Sequence, residues 1–236
     1  MKKIIFLVLL TVPFTGFCQE VKQYSDRVYL GDMMRANPEQ LKNLEGRSYG
    51  TEGTPYVLKD FTKGDIFFSD KTAARNKLIN YDCYNNRVLF KQDEVNYIVD
   101  SRKIDYIKFY PTGHSTVLFK KVFLMEQRKI VLMKILYHKE STLYRYYYKT
   151  FREADYTGAY SQDKRYDEFI DEHQWYIEPG GAEIRRLRPK KKSILEAFKA
   201  YRNDIEQYLK NEKPDLKSDR DLIRLVEYYD NLLAGS

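Results

Sequence analysis

The sequence predicts an α+β fold, in which a curled antiparallel β-sheet (a meander or half-barrel) is followed by a C-terminal helical pair. Short runs rich in Val, Ile, Tyr and Phe alternate with turn residues through 56–188, which is typical of strands. Across 192–234 apolar residues recur every three or four positions, which is the period of a helix. Strands that follow one another through tight turns favour antiparallel pairing.

Residues 1–18 are typical of a secretory signal peptide. Lys2 and Lys3 precede an apolar stretch, and Gly16 and Cys18 suit the small-residue positions before a cleavage point. The stretch is shorter than the roughly 20 apolar residues that span a bilayer, so no transmembrane helix is expected in the mature chain.

Cleavage after Cys18 would make Gln19 the first mature residue. We therefore expect export by the Sec route to the periplasm, the outer membrane or the medium. An alternative is lipidation of Cys18, although the bulky Phe17 stands directly before it.

The mature chain predicts an extended N-terminal arm and one globular domain. Residues 19–55 are polar and end in the turn formers of 50–55, so they are expected to form the arm. Residues 56–236 are expected to form the domain, with 56–188 mainly β and 192–234 helical. The chain carries a formal net charge of +7 and 15% aromatic residues, which does not favour disorder.

The strands can be assigned in order. Thr62–Asp65 and Asn85-Asn86 are expected to be turns, and 152–172 a long surface loop. The expected strands are Tyr56–Lys59, Ile66–Ser69, Lys77–Cys83, Arg87–Lys91, Val95–Val99, Ile104–Tyr110, Val117–Met125, Val131–Tyr137 and Thr142–Thr150, with a last hairpin of Gln174–Glu178 and Glu183–Leu187.

Two helices are expected at the end of the chain. The first carries an apolar face from Ile194 to Leu209 and is stopped before Pro214. Ser218 and Asp221 resemble a capping box, and an apolar stripe from Leu222 to Leu233 follows.

Four short motifs resemble a group of small exported proteins of Bacteroidota-type bacteria. They are Gly53-Thr54-Pro55-Tyr56, Gly64-Asp65-Ile66, Asn80-Tyr81-Asp82 and Tyr228-Tyr229-Asp230-Asn231. The resemblance covers roughly residues 50–235 and implies an exported protein with this fold. It transfers no catalytic or binding residues.

The sequence predicts no catalytic, cofactor or metal site. His114, His138 and His173 fall in different elements, without the local spacing of zinc ligands. The chain lacks a Gly-x-Ser-x-Gly elbow and a phosphate-binding Gly-rich loop. Cys83 lies in an expected strand, where burial is favoured. Pairs of acids suited to glycoside hydrolysis arise by chance among 34 Asp and Glu residues.

A dense basic run is the first candidate contact surface. Its six cations are Arg185, Arg186, Arg188, Lys190, Lys191 and Lys192. An exported chain rarely meets nucleic acid, so we expect an anionic lipid, lipopolysaccharide or an acidic glycan as partner. The alternative is an ordinary solvated junction between a strand and a helix. Lysines at a helix N-terminus oppose its dipole, so local stability does not explain them.

The second candidate is the aromatic face of Tyr144, Tyr146 and Tyr148, which alternate along one strand. Such a face can bind sugars or acyl chains, but same-face aromatics are more often covered by a neighbouring element, and we expect a core or semi-core position.

The leading hypothesis is an exported, non-enzymatic binding or structural module of the bacterial envelope. A periplasmic carrier that holds a lipid or other apolar ligand in its curved sheet is the alternative, and a hydrolase acting on envelope polymers is the third. A carrier requires an apolar cavity inside the sheet, whereas an enzyme requires acids that converge in a cleft.

Overall fold

The computed structural model describes residues 34–35, 51–92, 95–154 and 166–235. The predicted signal peptide, with its cleavage and lipidation sites at Cys18, and most of the predicted arm at 19–55 lie outside these residues.

One open antiparallel sheet of eleven strands dominates the fold. Its order is β1-β5-β4-β3-β2-β6-β7-β8-β9-β10-β11. The strands are β1 (Met34–Arg35), β2 (Thr62–Phe68), β3 (Ala73–Asp82), β4 (Arg87–Gln92), β5 (Val95–Asp100), β6 (Ile104–Phe109), β7 (Val117–Leu124), β8 (Lys129–His138), β9 (Thr142–Arg152), β10 (Glu168–Glu178) and β11 (Arg185–Leu187). The predicted antiparallel sheet is thus confirmed.

The link between β5 and β6 shows that the sheet is curled. Three strands separate β5 from β6 in the sheet, so a flat sheet would place them about 19 Å apart at about 4.8 Å per strand. Only Ser101–Lys103 connects them, and the four steps from Asp100 to Ile104 reach at most about 14 Å. The strands therefore bend around a common interior.

Large side chains fill the interior of the curl. Residues from β2 to β8 form one cluster, in which Tyr81, Phe90 and Phe119 are at most 1% exposed. The rings of Tyr81 and Phe119 meet edge to face at 5.9 Å. Burial of such aromatic side chains supplies the main driving force of a core.

Three helices, rather than the predicted pair, follow the sheet. They are α1 (Lys191–Ala197), α2 (Arg202–Glu212) and α3 (Asp219–Ala234). The predicted first helix is broken at Phe198 and Tyr201, whose backbone angles leave the helical region. The break lets both rings pack on Tyr229, at centroid distances of 4.7 Å and 5.8 Å.

The start of α3 agrees with the predicted N-cap, because the Ser218 side chain accepts a hydrogen bond from the backbone N–H of Asp221. The reciprocal bond of a capping box is not formed, because the Asp221 carboxylate accepts from the Asp215 N–H and the Ser218 N–H donates to the Asp215 carbonyl. Asp219 in the first turn joins the helix to the sheet. Its carboxylate accepts from Trp175 Nε1 at 2.7 Å on β10 and from Arg145 at 2.5 Å on β9. The helices bury one face of β8–β11, where Leu143 and Ile177 are fully buried.

Two local predictions were wrong. Thr62–Asp65 is not a turn but the beginning of β2, with an irregular register between Gly64 and Ile66. A Cβ at Gly64 would lie 2.3 Å from the Lys108 carbonyl oxygen, so glycine permits close strand approach here. Tyr56–Lys59 forms no strand and contributes an isolated bridge from Tyr56 to Asp82.

Several other predictions are confirmed or refined. Asn86 adopts the left-handed conformation (φ 57°) expected in the β3–β4 turn. The predicted loop at 152–172 is shorter, because β9 ends at Arg152 and β10 begins at Glu168, with 155–165 outside the described residues. The end of the predicted arm lies against the sheet, where the Pro55 carbonyl accepts a hydrogen bond from the Cys83 N–H at 3.1 Å.

Candidate functional site

A groove runs along the edge of the sheet where β11 leads into α1. One wall comes from 183–197 and the other from the end of β7 and the β7–β8 turn, with Tyr176 of β10 between them. Its volume is about 590 Å³. Five of the six predicted cations line it, and we call it the cationic groove: Arg185, Arg186, Arg188, Lys190 and Lys192. The structure thus places most of the basic run in one concave site.

Strand geometry distributes these cations. In β11, Arg186 pairs with Tyr176 across the ladder, whereas its neighbour Leu187 pairs with Trp175 and is buried against the helices. Because side chains alternate along a strand, Arg186 faces away from the helical layer. Lys190 is the N-cap of α1 but makes no capping hydrogen bond through its side chain. Lys190 therefore lacks the side-chain hydrogen bond to the first helical turn that usually favours a residue at the N-cap.

The charges of the groove are poorly compensated. Its lining contains three acids, Glu126, Glu183 and Glu196. Among the described residues, no carboxylate forms an ion pair with any of the five cations. Arg185 also has a buried Nε without a hydrogen-bond partner there. Lys191 differs, because it bonds Glu206 at 2.6 Å and lies outside the lining.

The predicted aromatic face is part of the core. Tyr144 and Tyr146 are 0% and 5% exposed, and Tyr148 is half-buried. The hydroxyl of Tyr144 donates to Glu178 at 2.9 Å, and that of Tyr148 donates to Glu172 at 2.8 Å. Burial raises the pKa of Tyr146 to about 12. These rings form no open platform.

The aromatic face nevertheless adjoins the groove. Burial raises the pKa values of Tyr148 and Tyr176, and the positive charge of the nearby Arg186 opposes this rise. On the opposite side, Lys129 Nζ donates to the Tyr146 hydroxyl at 2.9 Å and lies 5.0 Å from the ring centroid. The two sequence candidates are therefore neighbours in space.

A second hollow of about 600 Å³ lies on the other side of the β7–β8 turn. Four cations line it: Arg87, Arg102, Arg128 and Lys129. Its one acid, Asp100, bonds Arg102. Burial lowers the pKa of Lys129 from its ordinary value. We call this site the second hollow.

The β7–β8 turn separates the two cation-lined sites and carries two exposed apolar side chains. Phe123 is 50% exposed and lines the second hollow, whereas Met125 is 63% exposed and lines the cationic groove. We call this pair the apolar tip. The sequence pattern predicts a strand at Val117–Met125 and does not show that its last apolar side chains are exposed. The one signal is that large apolar residues stand directly before the charged turn 126–129.

The other potentially reactive side chains, His138, His173 and Cys83, lie in separate parts of the fold. Within the described segments, no group of three or more His, Cys, Asp or Glu side chains could hold a metal ion. His138 Nδ1 lies 2.9 Å from Thr142 Oγ1, and His173 meets the Trp175 ring edge to face at 4.7 Å. Burial raises the pKa of Cys83 to about 12, so its thiol is held protonated.

No family model, curated protein or solved structure matches this chain. Within the part of the chain that the structure describes, none of the helices has the length and apolar character needed to cross a membrane.

Proposed function

We propose that this chain is an exported, non-enzymatic binding module of the bacterial envelope, and that its cationic groove binds the anionic groups of its partner. Phosphate or carboxylate groups of an anionic lipid, lipopolysaccharide or an acidic glycan have the required chemistry. The observation that carries the proposal is the set of five cations that line one groove without a carboxylate partner among the described residues.

Electrostatics favours an external partner over an internal structural role. The charges of cations on one concave surface add up to a positive electrostatic potential, which concentrates anions there. The buried Arg185 Nε has no hydrogen-bond partner among the described residues, and the side chain of Lys190 makes no capping hydrogen bond. Arginine also offers several donors in a planar fork, which suits phosphate and carboxylate groups.

The alternatives have weaker support. A carrier requires space inside the curled sheet, but aromatic side chains such as Phe109 and Phe119 fill that interior. A hydrolase requires free acids in a cleft. Asp171 and Glu172, two neighbouring acids of β10, instead bond Lys149 and Thr150, respectively.

The groove can be tested by retention on immobilised heparin as a model polyanion. We expect elution of the wild-type chain to require substantial salt, because exposed charges are screened beyond about 8 Å at physiological ionic strength. A variant with Arg186, Arg188, Lys190 and Lys192 changed to Gln is expected to elute at much lower salt. Equal elution of the two proteins would refute the groove as the binding site.

A matched variant controls for net charge. It changes Lys199, Lys210, Lys217 and Arg224 to Gln, which are exposed cations that line neither site. It loses the same four charges, so bulk electrostatics predicts the same shift for both variants. A groove predicts a clearly larger shift for the first. Export is tested separately by intact mass, which is expected to equal that of an unmodified chain that starts at Gln19, whereas a lipidated chain would start at Cys18 and be heavier.

A further inference from the structure

We infer that the β7–β8 turn docks the protein on an anionic membrane, with the apolar tip entering the interface and the two cation-lined sites binding lipid headgroups. This inference rests on the proposed function, because the cationic groove supplies part of the headgroup contact. It adds the class of the partner, which is an anionic membrane, and a second binding element, which is the apolar tip.

The apolar tip is unusually exposed. Single exposed apolar residues are normal on soluble proteins. Phe123 and Met125 are different because they stand two positions apart at the end of a hairpin, with 50% and 63% of their surfaces exposed. The residues from Met125 to Arg128 are all exposed as well, so the turn is accessible to a partner.

The apolar tip lies between two positive sites. Phe123 lies in the lining of the second hollow and Met125 in that of the cationic groove. Together the two linings hold nine cations and four acids, and one of those acids, Asp100, is already bonded to Arg102. A surface with this charge excess attracts anionic lipid headgroups, and each cation near such a membrane strengthens binding about fivefold.

The β7–β8 turn and the sites beside it combine apolar and cationic side chains. A soluble acidic glycan would be bound by cations and hydrogen-bond donors, and although a sugar can stack on a Phe ring, it would gain little from the exposed Met beside it. Peripheral membrane binding, by contrast, combines burial of apolar side chains at the headgroup boundary with attraction of cations to anionic lipids. The apolar tip flanked by cations has both properties.

The experiment uses co-sedimentation with vesicles of phosphatidylcholine, with or without phosphatidylglycerol. We expect the wild-type chain to bind only the anionic vesicles. The variant Phe123→Ser with Met125→Ser is expected to lose at least about tenfold in vesicle affinity, because the transfer of two apolar side chains is removed. Its elution from heparin is expected to remain close to that of the wild type, since its cations are intact.

Two controls show whether the tip itself inserts. The variant Leu78→Ser with Tyr166→Ser removes two apolar side chains of similar exposure, 44% and 53%, and is expected to bind like the wild type. An environment-sensitive fluorophore on Met125→Cys is expected to shift to the blue with anionic vesicles, and one on Leu78→Cys is not. Cys83 is 3% exposed and is not expected to take the label.

The outcomes separate the two proposals. Wild-type binding to heparin but not to anionic vesicles would overturn membrane docking and favour a soluble acidic glycan as partner. Unchanged vesicle affinity of the tip variant, or no shift of the fluorophore at Met125→Cys, would also overturn docking through the tip. Failure of the groove variant to differ from its charge-matched control on heparin would instead overturn the proposed function.

Discussion

Asp219 is expected to hold the helical layer to the sheet, and Asp219→Asn tests this with almost no change in shape. The substitution keeps an acceptor for Trp175 Nε1 but removes the negative charge that faces Arg145 at 2.5 Å. A hydrogen bond to a charged group contributes about 1.5–3 kcal/mol. A negative charge in the first turn of a helix adds about 0.3–1 kcal/mol.

Partial exposure reduces the first contribution, because the side chains of Arg145 and Asp219 are 22% and 27% exposed. We therefore expect a loss of about 2 kcal/mol in the free energy of unfolding. With a urea dependence of about 2 kcal/mol per M, this lowers the urea midpoint by about 1 M. Trp175 is the only tryptophan of the chain, so its fluorescence reports the transition at the site of the change.

The control is Glu206→Gln, which breaks the ion pair with Lys191 in the same helical layer. Both partners are largely exposed, at 46% and 58%, so the midpoint is expected to stay where it is in the wild type. A double-mutant cycle with Arg145→Met is expected to show a coupling of at least about 0.5 kcal/mol with Asp219→Asn. An unchanged midpoint for Asp219→Asn, or additive effects in the cycle, would refute the role of this contact.

Three further predictions concern packing and ionisation. Gly64→Ala is expected to destabilise the fold by at least about 1–3 kcal/mol in urea, because its Cβ would collide with the backbone carbonyl of Lys108, whereas Gly235→Ala meets only ordinary contacts and is expected to be neutral. Cys83 is expected to react slowly with thiol reagents in the folded chain and rapidly in urea; equal rates would contradict its burial and its pKa of about 12. Burial also raises the pKa of Tyr146 from 10.0 to about 12, so the folded state retains its proton longer than the unfolded chain. The contribution of Tyr146 to stability is therefore complete below pH 10 and is lost as the pH rises towards 12. Urea titrations across this pH range can follow the loss. A free energy of unfolding that does not change with pH would contradict the prediction.

Strand assignment from the sequence succeeded where hydrophobic alternation and turn chemistry agreed. The β3–β4 hairpin is an example, because Asn86 can adopt positive φ and the flanking runs alternate. Prediction failed at Gly64, where glycine indicates close approach of a neighbouring strand rather than a turn. The sequence does not show which strand approaches Gly64. A glycine that forms a turn therefore cannot be distinguished from one that allows close strand contact by sequence alone.

The helical break and the site illustrate the same limit. The apolar periodicity from Ile194 to Leu209 continues through Phe198, and only the tertiary contact with Tyr229 shows why the helix stops there. The basic run could be found from charge density alone. Its groove could not, because the opposite wall comes from the β7–β8 turn, about 60 residues earlier in the sequence, and a local pattern carries no information on such pairing.

The open sheet described above has two edges, which makes self-association through added strands a risk for the folded chain. At one edge β1 covers only Tyr97 and Ile98 of β5, and at the other β11 covers only three residues of β10. Among the described residues, no strand pairs with the outer side of β10 between Ile170 and Gln174. That stretch carries Asp171, whose side chain is 84% exposed, and Glu172. Acidic side chains on a strand edge disfavour pairing with an identical strand, so these two residues protect the described edge against templated aggregation.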